Sequence, residues 1–251
     1  MYEWILVNMI VFAAAALQAI TGSGFAIAAT PFLLLVIVSR ESILISSFLS
    51  FFIAVVMVPR IRHHVCVSLF KRLVIGSIAG APLGLWLFVS LPIDTIKLIV
   101  AVVVLKVSVF AIWRWFYPAG NGSEQTSSSH IKWLELATGL AAGVLTVSIG
   151  MPGVPLAMYF VQGHFMKEQV RSTTLSFFVV IYIVSMALQA LAGQITMETV
   201  RYSATLVPAT FCGIAAGMKM FGRINQRMFQ MLINLILLYT GLHILGSHLL
   251  R

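Results

Sequence analysis

The sequence predicts an all-α integral membrane protein. It reads as a polytopic helical bundle of two related halves, arranged as inverted repeats with broken or re-entrant helices and about 8 to 10 membrane segments. Three observations carry this. The composition is 60% hydrophobic and only 9% charged, with a mean hydropathy of +1.02, which leaves too little polar surface for a soluble chain of this size. Apolar runs approaching the ~20 residues that span a bilayer recur almost end to end, and runs such as 93–113 lack the alternation of a barrel strand. Short motifs also recur in the same order in the two parts of the chain.

The apolar segments of the first part run 4–20, 24–38, 42–59, 69–90 and 93–116. Those of the second run 133–148, 153–163, 170–193, 199–219 and 226–248. Between them lies a polar linker, 118–132, opening Pro118-Ala119-Gly120-Asn121-Gly122-Ser123 and continuing through Ser127-Ser128-Ser129; its composition is that of a flexible connection. Residues 1–117 thus form a first transmembrane repeat and 133–251 a second. The N-terminus, Met1-Tyr2-Glu3-Trp4, lacks a basic leader and reads as a first membrane segment, not a cleaved signal.

The halves align by three motifs. Thr21-Gly22-Ser23-Gly24 before Pro31 pairs with Gly150-Met151-Pro152-Gly153 before Pro155, Ser47 through Phe52 with Thr173 through Phe178, and Gly80 and Gly84 with Gly213 and Gly217. Net charge is +9, but the basic residues cluster between apolar runs, as the positive-inside rule expects, so no nucleic-acid partner is implied. One cluster is Arg60, Arg62, His63, His64, Lys71 and Arg72; the other is Lys219, Arg223 and Arg227. If both face the cytoplasm, each half crosses an odd number of times. The repeats are then inverted, with the N-terminus outside and the linker inside, a common transporter architecture.

The candidate site lies at the two interruptions, Thr21-Gly22-Ser23-Gly24 and Ser148-Ile149-Gly150-Met151-Pro152-Gly153. Glycine admits positive φ and proline opens a helix. Amides at a helix start carry partial positive charge and bind anions, and irregular backbone at membrane depth survives only where it is buried or lines a cavity. Ordinary glycine-mediated packing or kinking is the alternative. Hydroxyls of Ser47, Ser50, Thr173 and Thr174, with Ser46, Ser172 and Ser176 beside them, are candidate donors to an oxyanion, or else bond their own or neighbouring backbones. Gln18 and Gln189 are candidate amide donors, and Arg171 either clamps the anion or sits at the interface near Lys167 and Glu168.

Glu3, Glu41, Asp94, Glu124, Glu135, Glu168 and Glu198 all fall at segment edges or in loops. The absence of a mid-membrane carboxylate speaks against a sodium site or carboxylate relay and for an anionic substrate. Lys106 lies within snorkelling reach of the interface, and Trp4, Trp86, Trp113, Trp115 and Trp133 fit aromatic belts. Cys66 and Cys212 lie outside any metal or redox spacing and read as small packing residues. With scattered histidines and no nucleophile elbow, phosphate loop or paired carboxylates, nothing points to an enzyme, a metal or a cofactor.

Thr21-Gly22-Ser23-Gly24-Phe25 with Pro31, and Gly150-Met151-Pro152-Gly153-Val154-Pro155, resemble the duplicated signature of the sulfite exporter TauE/SafE family, and Arg171-Ser172-Thr173-Thr174-Leu175 resembles the element after the second signature. The resemblance covers essentially the whole chain; Met151-Pro152 departs from the commoner glycine-rich run. It implies a multi-pass carrier of the bacterial inner membrane for a small anion such as sulfite or an organosulfonate, with export as the direction. An anion channel and a non-transporting assembly subunit remain the competing readings. The expected partners are the anionic solute and the lipid bilayer, with a second copy of the chain as a further candidate.

Overall fold

The computed structural model describes residues 2–37, 39–116, 128–162 and 165–220, with four single positions beyond. Helices α1 (Tyr2–Thr21), α2 (Phe25–Val36) and α3 (Glu41–Ile61) lead through a 3₁₀ turn, Arg62–His64, into α4 (Val67–Ser90) and α5 (Ile93–Phe116). Then follow α6 (Ser128–Ile149), α7 (Gly153–Gln162), α8 (Lys167–Leu191) and α9 (Met197–Met220). No strand occurs among the described residues. The apolar runs therefore become helices within a few residues of their expected ends. Ser128 already begins α6, so the last residues of the expected linker are helical. Arg223, Arg227 and almost all of 226–248 lie outside the described residues.

Among those residues, five helices are long and apolar enough to cross a membrane: Trp4–Thr21, Glu41–His64, Val67–Ser90, Lys132–Ile149 and Glu168–Leu191. By contrast α2 and α7 have 12 and 10 residues. At 1.5 Å per residue they reach about 18 and 15 Å, short of the ~30 Å hydrocarbon core. The outward side of α4 exposes Ile75, Ile78, Leu83 and Trp86, an apolar face of the kind lipid covers.

Glycines decide which helices meet most closely. A Cβ on Gly84 of α4 would stand 2.6 Å from Val144 O of α6, and one on Gly76 or Gly80 would collide with Leu136 O or Leu140 O. Gly139 and Gly143 of α6 approach Leu73 O and Ser77 O in return. The same device joins α9 to α1, where a Cβ on Gly217 would stand 2.5 Å from Ala16 O and Gly213 abuts Phe12 O. Close backbone approach through small residues is how helices associate where lipid removes the hydrophobic drive. Helices α3 and α8 pack on each other between these pairs, and buried Leu49, Ile53, Leu175, Phe177 and Tyr182 lie in the same core cluster.

Glu135, expected as an edge carboxylate, is 4% exposed. It is ion-paired with Arg72 of α4 and accepts a hydrogen bond from the Tyr159 hydroxyl of α7 at 3.0 Å. One carboxylate thereby ties three helices at the basic end of the bundle. Glu135→Ala is expected to cost about 2 kcal/mol, the order of leaving buried polar partners unsatisfied, and to lower Tm by about 4–8 °C. Thermal unfolding in detergent checks this, and the double variant Arg72→Met/Glu135→Met is expected to recover much of the loss.

Candidate functional site

Both interruptions are helix breaks of one design. Helix α1 ends where Gly22 takes φ +84, its N–H still donating to Gln18 O at 2.7 Å. Helix α6 ends where Gly150 takes φ +74, its N–H donating to Thr146 O at 2.9 Å and Met151 N–H to Leu145 O at 3.1 Å. A left-handed glycine just past the last turn is a common helix stop. Each chain then restarts as a short helix, α2 after Gly24 and α7 after Pro152. Pro155, in the first turn of α7, gives up an amide that has no helical partner there.

The two breaks meet. A Cβ on Gly153 would lie 3.6 Å from both Cβ and O of Ser23 and 3.4 Å from the Phe178 ring. Each break also rests on the long helix of the opposite half. A Cβ on Gly150 would lie 3.2 Å from Ser47 Oγ and 3.5 Å from Ile43 O of α3, and one on Gly22 would lie 2.8 Å from Arg171 Cγ of α8.

Electrostatics separates the ends that stop from the ends that start. The carbonyls of a helix C-terminus carry partial negative charge and would repel an anion. Here they are covered: Arg171 Nη2 donates to Ala19 O at 2.5 Å, Gln189 Nε2 to Val147 O at 3.0 Å and the Tyr182 hydroxyl to Gly150 O at 3.1 Å. At the restarts the chain engages few amides: Phe25 N–H donates to Gln18 Oε1 at 3.1 Å, and Ser23 N–H to Thr21 Oγ1 at 3.4 Å. First-turn amides have no intrahelical partner and carry partial positive charge.

The side chains expected at the site divide. Ser47 and Ser50 are fully buried; the Ser47 hydroxyl has no hydrogen-bond partner among the described residues, and Ser50 sits against the Tyr182 hydroxyl, which donates to Gly150 O. Gln18 is 1% exposed, with Nε2 unpartnered. Ser47 Oγ and Gln18 Nε2 are the free donors around the breaks among the described residues. Thr21 and Ser148 bond their own helices, at Leu17 O (2.9 Å) and Val144 O (2.7 Å). Thr173 Oγ1 accepts from Cys66 N–H at 3.0 Å, which fastens α8 to the α3–α4 connection, and Thr174 is buried close by. Ser46 pairs with Thr30 at 2.8 Å. Around the breaks the free hydroxyl is thus Ser47 of α3, whereas Thr173 of α8 is structural.

Two recesses flank this arrangement. An open one of about 560 Å³ lies on the apolar outer face of α1 and α9 around Trp4, Met9 and Phe12; its polar side chain, Asn8, is bonded to Trp4 O. None of the break residues and none of the free donors lines it. The smaller, about 160 Å³, is lined by Met57, Arg60, Ile61, Arg171 and Met218, so Arg171 borders it and the first break at once. As sequence, Arg60 reads only as part of a charge cluster.

Apolar spans and paired helix breaks define the class: a multi-pass membrane protein of transporter type. Residues 7–244 match the family described as Sulfite exporter TauE/SafE, and the chain belongs to that family. No curated protein and no solved structure matches it.

Proposed function

We propose that the chain is a secondary transporter that moves a small oxyanion, sulfite or an organosulfonate, outward across the bacterial inner membrane. The observation that carries this is the meeting of the breaks at Ser23 and Gly153, with carbonyls of both stopped helices capped at Ala19, Val147 and Gly150. An anion there is held by amides of α2 and α7, by Ser47 and Ser50 and by Gln18 Nε2. The two halves act as inverted repeats that rock about it. The exchange of partners supports that: α4 packs on α6 as α1 packs on α9, and α4 meets α8 as α3 meets α9. The basic ends of α3 and α9, at Arg60 and Lys219, orient the protein with that side in the cytoplasm.

Purified protein in proteoliposomes is expected to release sulfite at a rate that saturates and that rises with anion on the opposite side. Absence of flux for sulfite, sulfoacetate and sulfate alike overturns the proposal, and unitary current steps would replace the carrier with a channel.

A further inference from the structure

Between the basic surface and the first helix break lies the cavity of about 160 Å³ bordered by Arg60 and Arg171. We infer that it is a second anion site, a loading chamber in which Arg60 and Arg171 collect a small oxyanion from the cytoplasm before it reaches the breaks. The inference rests on the transporter reading for its purpose, though not for its chemistry.

Among the described residues the lining holds two guanidinium groups and no acid. Arg60 donates to Met218 Sδ at 3.1 Å, and a thioether is a weak acceptor, so the remaining donors of its fork are left for a stronger one. Guanidinium binds oxyanions in a two-pronged manner and is always charged. The other walls, Met57, Ile61 and Met218, are apolar, and low-dielectric walls lengthen the reach of the two charges. The volume equals roughly five waters at ~30 Å³ each, room for a four-atom oxyanion that keeps part of its hydration.

Position makes it a chamber and not merely a basic patch. Arg171 leans its stem on Gly22 and caps Ala19 O, so one side chain is both the inner wall of the cavity and the outer wall of the first break. An anion bound there has one residue to pass. The opposite end lacks the device: on the alignment of Ser47 with Thr173, the positions matching Arg60 and Arg171 are Met186 and Ile45. Loading is therefore stronger from the basic end.

The test measures sulfite binding to the purified full-length protein by titration calorimetry, alongside proteoliposome flux. Arg60→Gln is expected to weaken sulfite binding about 10-fold and to raise the cytoplasmic-side KM by a similar factor, with maximal flux within 2-fold. Arg60→Lys should recover part of this. Arg62→Gln removes a neighbouring exposed charge that does not line the cavity and should leave both constants within 2-fold. If wild type binds no sulfite at millimolar concentration, if Arg60→Gln binds as wild type does, or if Arg62→Gln weakens binding equally, the chamber is refuted. Arg60-dependent binding without any flux would uphold the chamber and sink the transporter reading, and flux with an unchanged Arg60→Gln variant would do the reverse.

Discussion

Gly143→Leu is expected to lose most of the folded protein, a larger stability effect than any substitution on the outer faces. The glycine faces Ser77 O so closely that even a Cβ collides with that backbone oxygen, and Gly139 meets Leu73 O in the same way one turn earlier. Backbone cannot swing aside as a side chain can. A leucine would have to part α4 from α6, and with them the contacts of Gly76, Gly80 and Gly84 along the same seam. Overpacked sites cost about 1–3 kcal/mol; a whole glycine seam opened at once belongs at or above the upper end. At about 3 kcal/mol the Tm in detergent falls by about 6–12 °C. Ile78→Ala, on the half-exposed side of the same helix, should change stability by less than about 0.5 kcal/mol. Equal Tm values for Gly143→Leu and wild type would show that the close approach of α4 and α6 does not exist in solution.

How much of this was legible in the sequence follows the range of each interaction. Helix positions were, because an apolar run and its flanking Gly or Pro are local; even the shortness of α7 could be read from ten residues. The spacing of Gly80 and Gly84 announced a close backbone neighbour, yet not that the neighbour is α6, since a small residue records proximity and not identity. Glu135 looked like an edge carboxylate. Its burial depends on Arg72 and Tyr159, 63 residues before it and 24 after, which no local pattern encodes.

The site shows the same division. Breaks at Gly22 and Gly150 follow from composition, but glycine alone does not reveal which of several neighbours carries the positive φ: Gly24 and Gly153 do not, and Gly22 and Gly150 do. The hydroxyl clusters of α3 and α8 look equivalent as sequence. Only the fold tells that Thr173 is held by Cys66 N–H while Ser47 remains free. Arg60 carried a real signal, a guanidinium in the last turn of α3, but it was indistinguishable from a charge that merely sets orientation.

Gly22→Ala and Gly150→Ala should each reduce sulfite flux about 100-fold in protein that still reaches the membrane, the order lost when reacting or binding groups move by about 1 Å. Two causes act together. A side chain at φ +84 or +74 costs about 1–2 kcal/mol per residue, and the new methyl collides at Gly22 and is tightly placed at Gly150. At Gly22 it would press on Arg171, with Cγ at 2.8 Å and Cα at 3.2 Å; at Gly150 it would press on Ser47 Oγ at 3.2 Å. Relief moves the end of α1 away from α8, which uncaps Ala19 O and turns a partial negative charge toward the anion, or shifts the end of α6 against the free Ser47 hydroxyl. Gly193→Ala separates the causes. It has the same handedness, φ +67, but no atom within 4 Å of the added methyl, so it bears the backbone strain alone and flux should stay within about 2-fold. If Gly193→Ala impairs transport as strongly as the other two, strain itself is responsible; if none of the three does, the breaks are not where the anion passes.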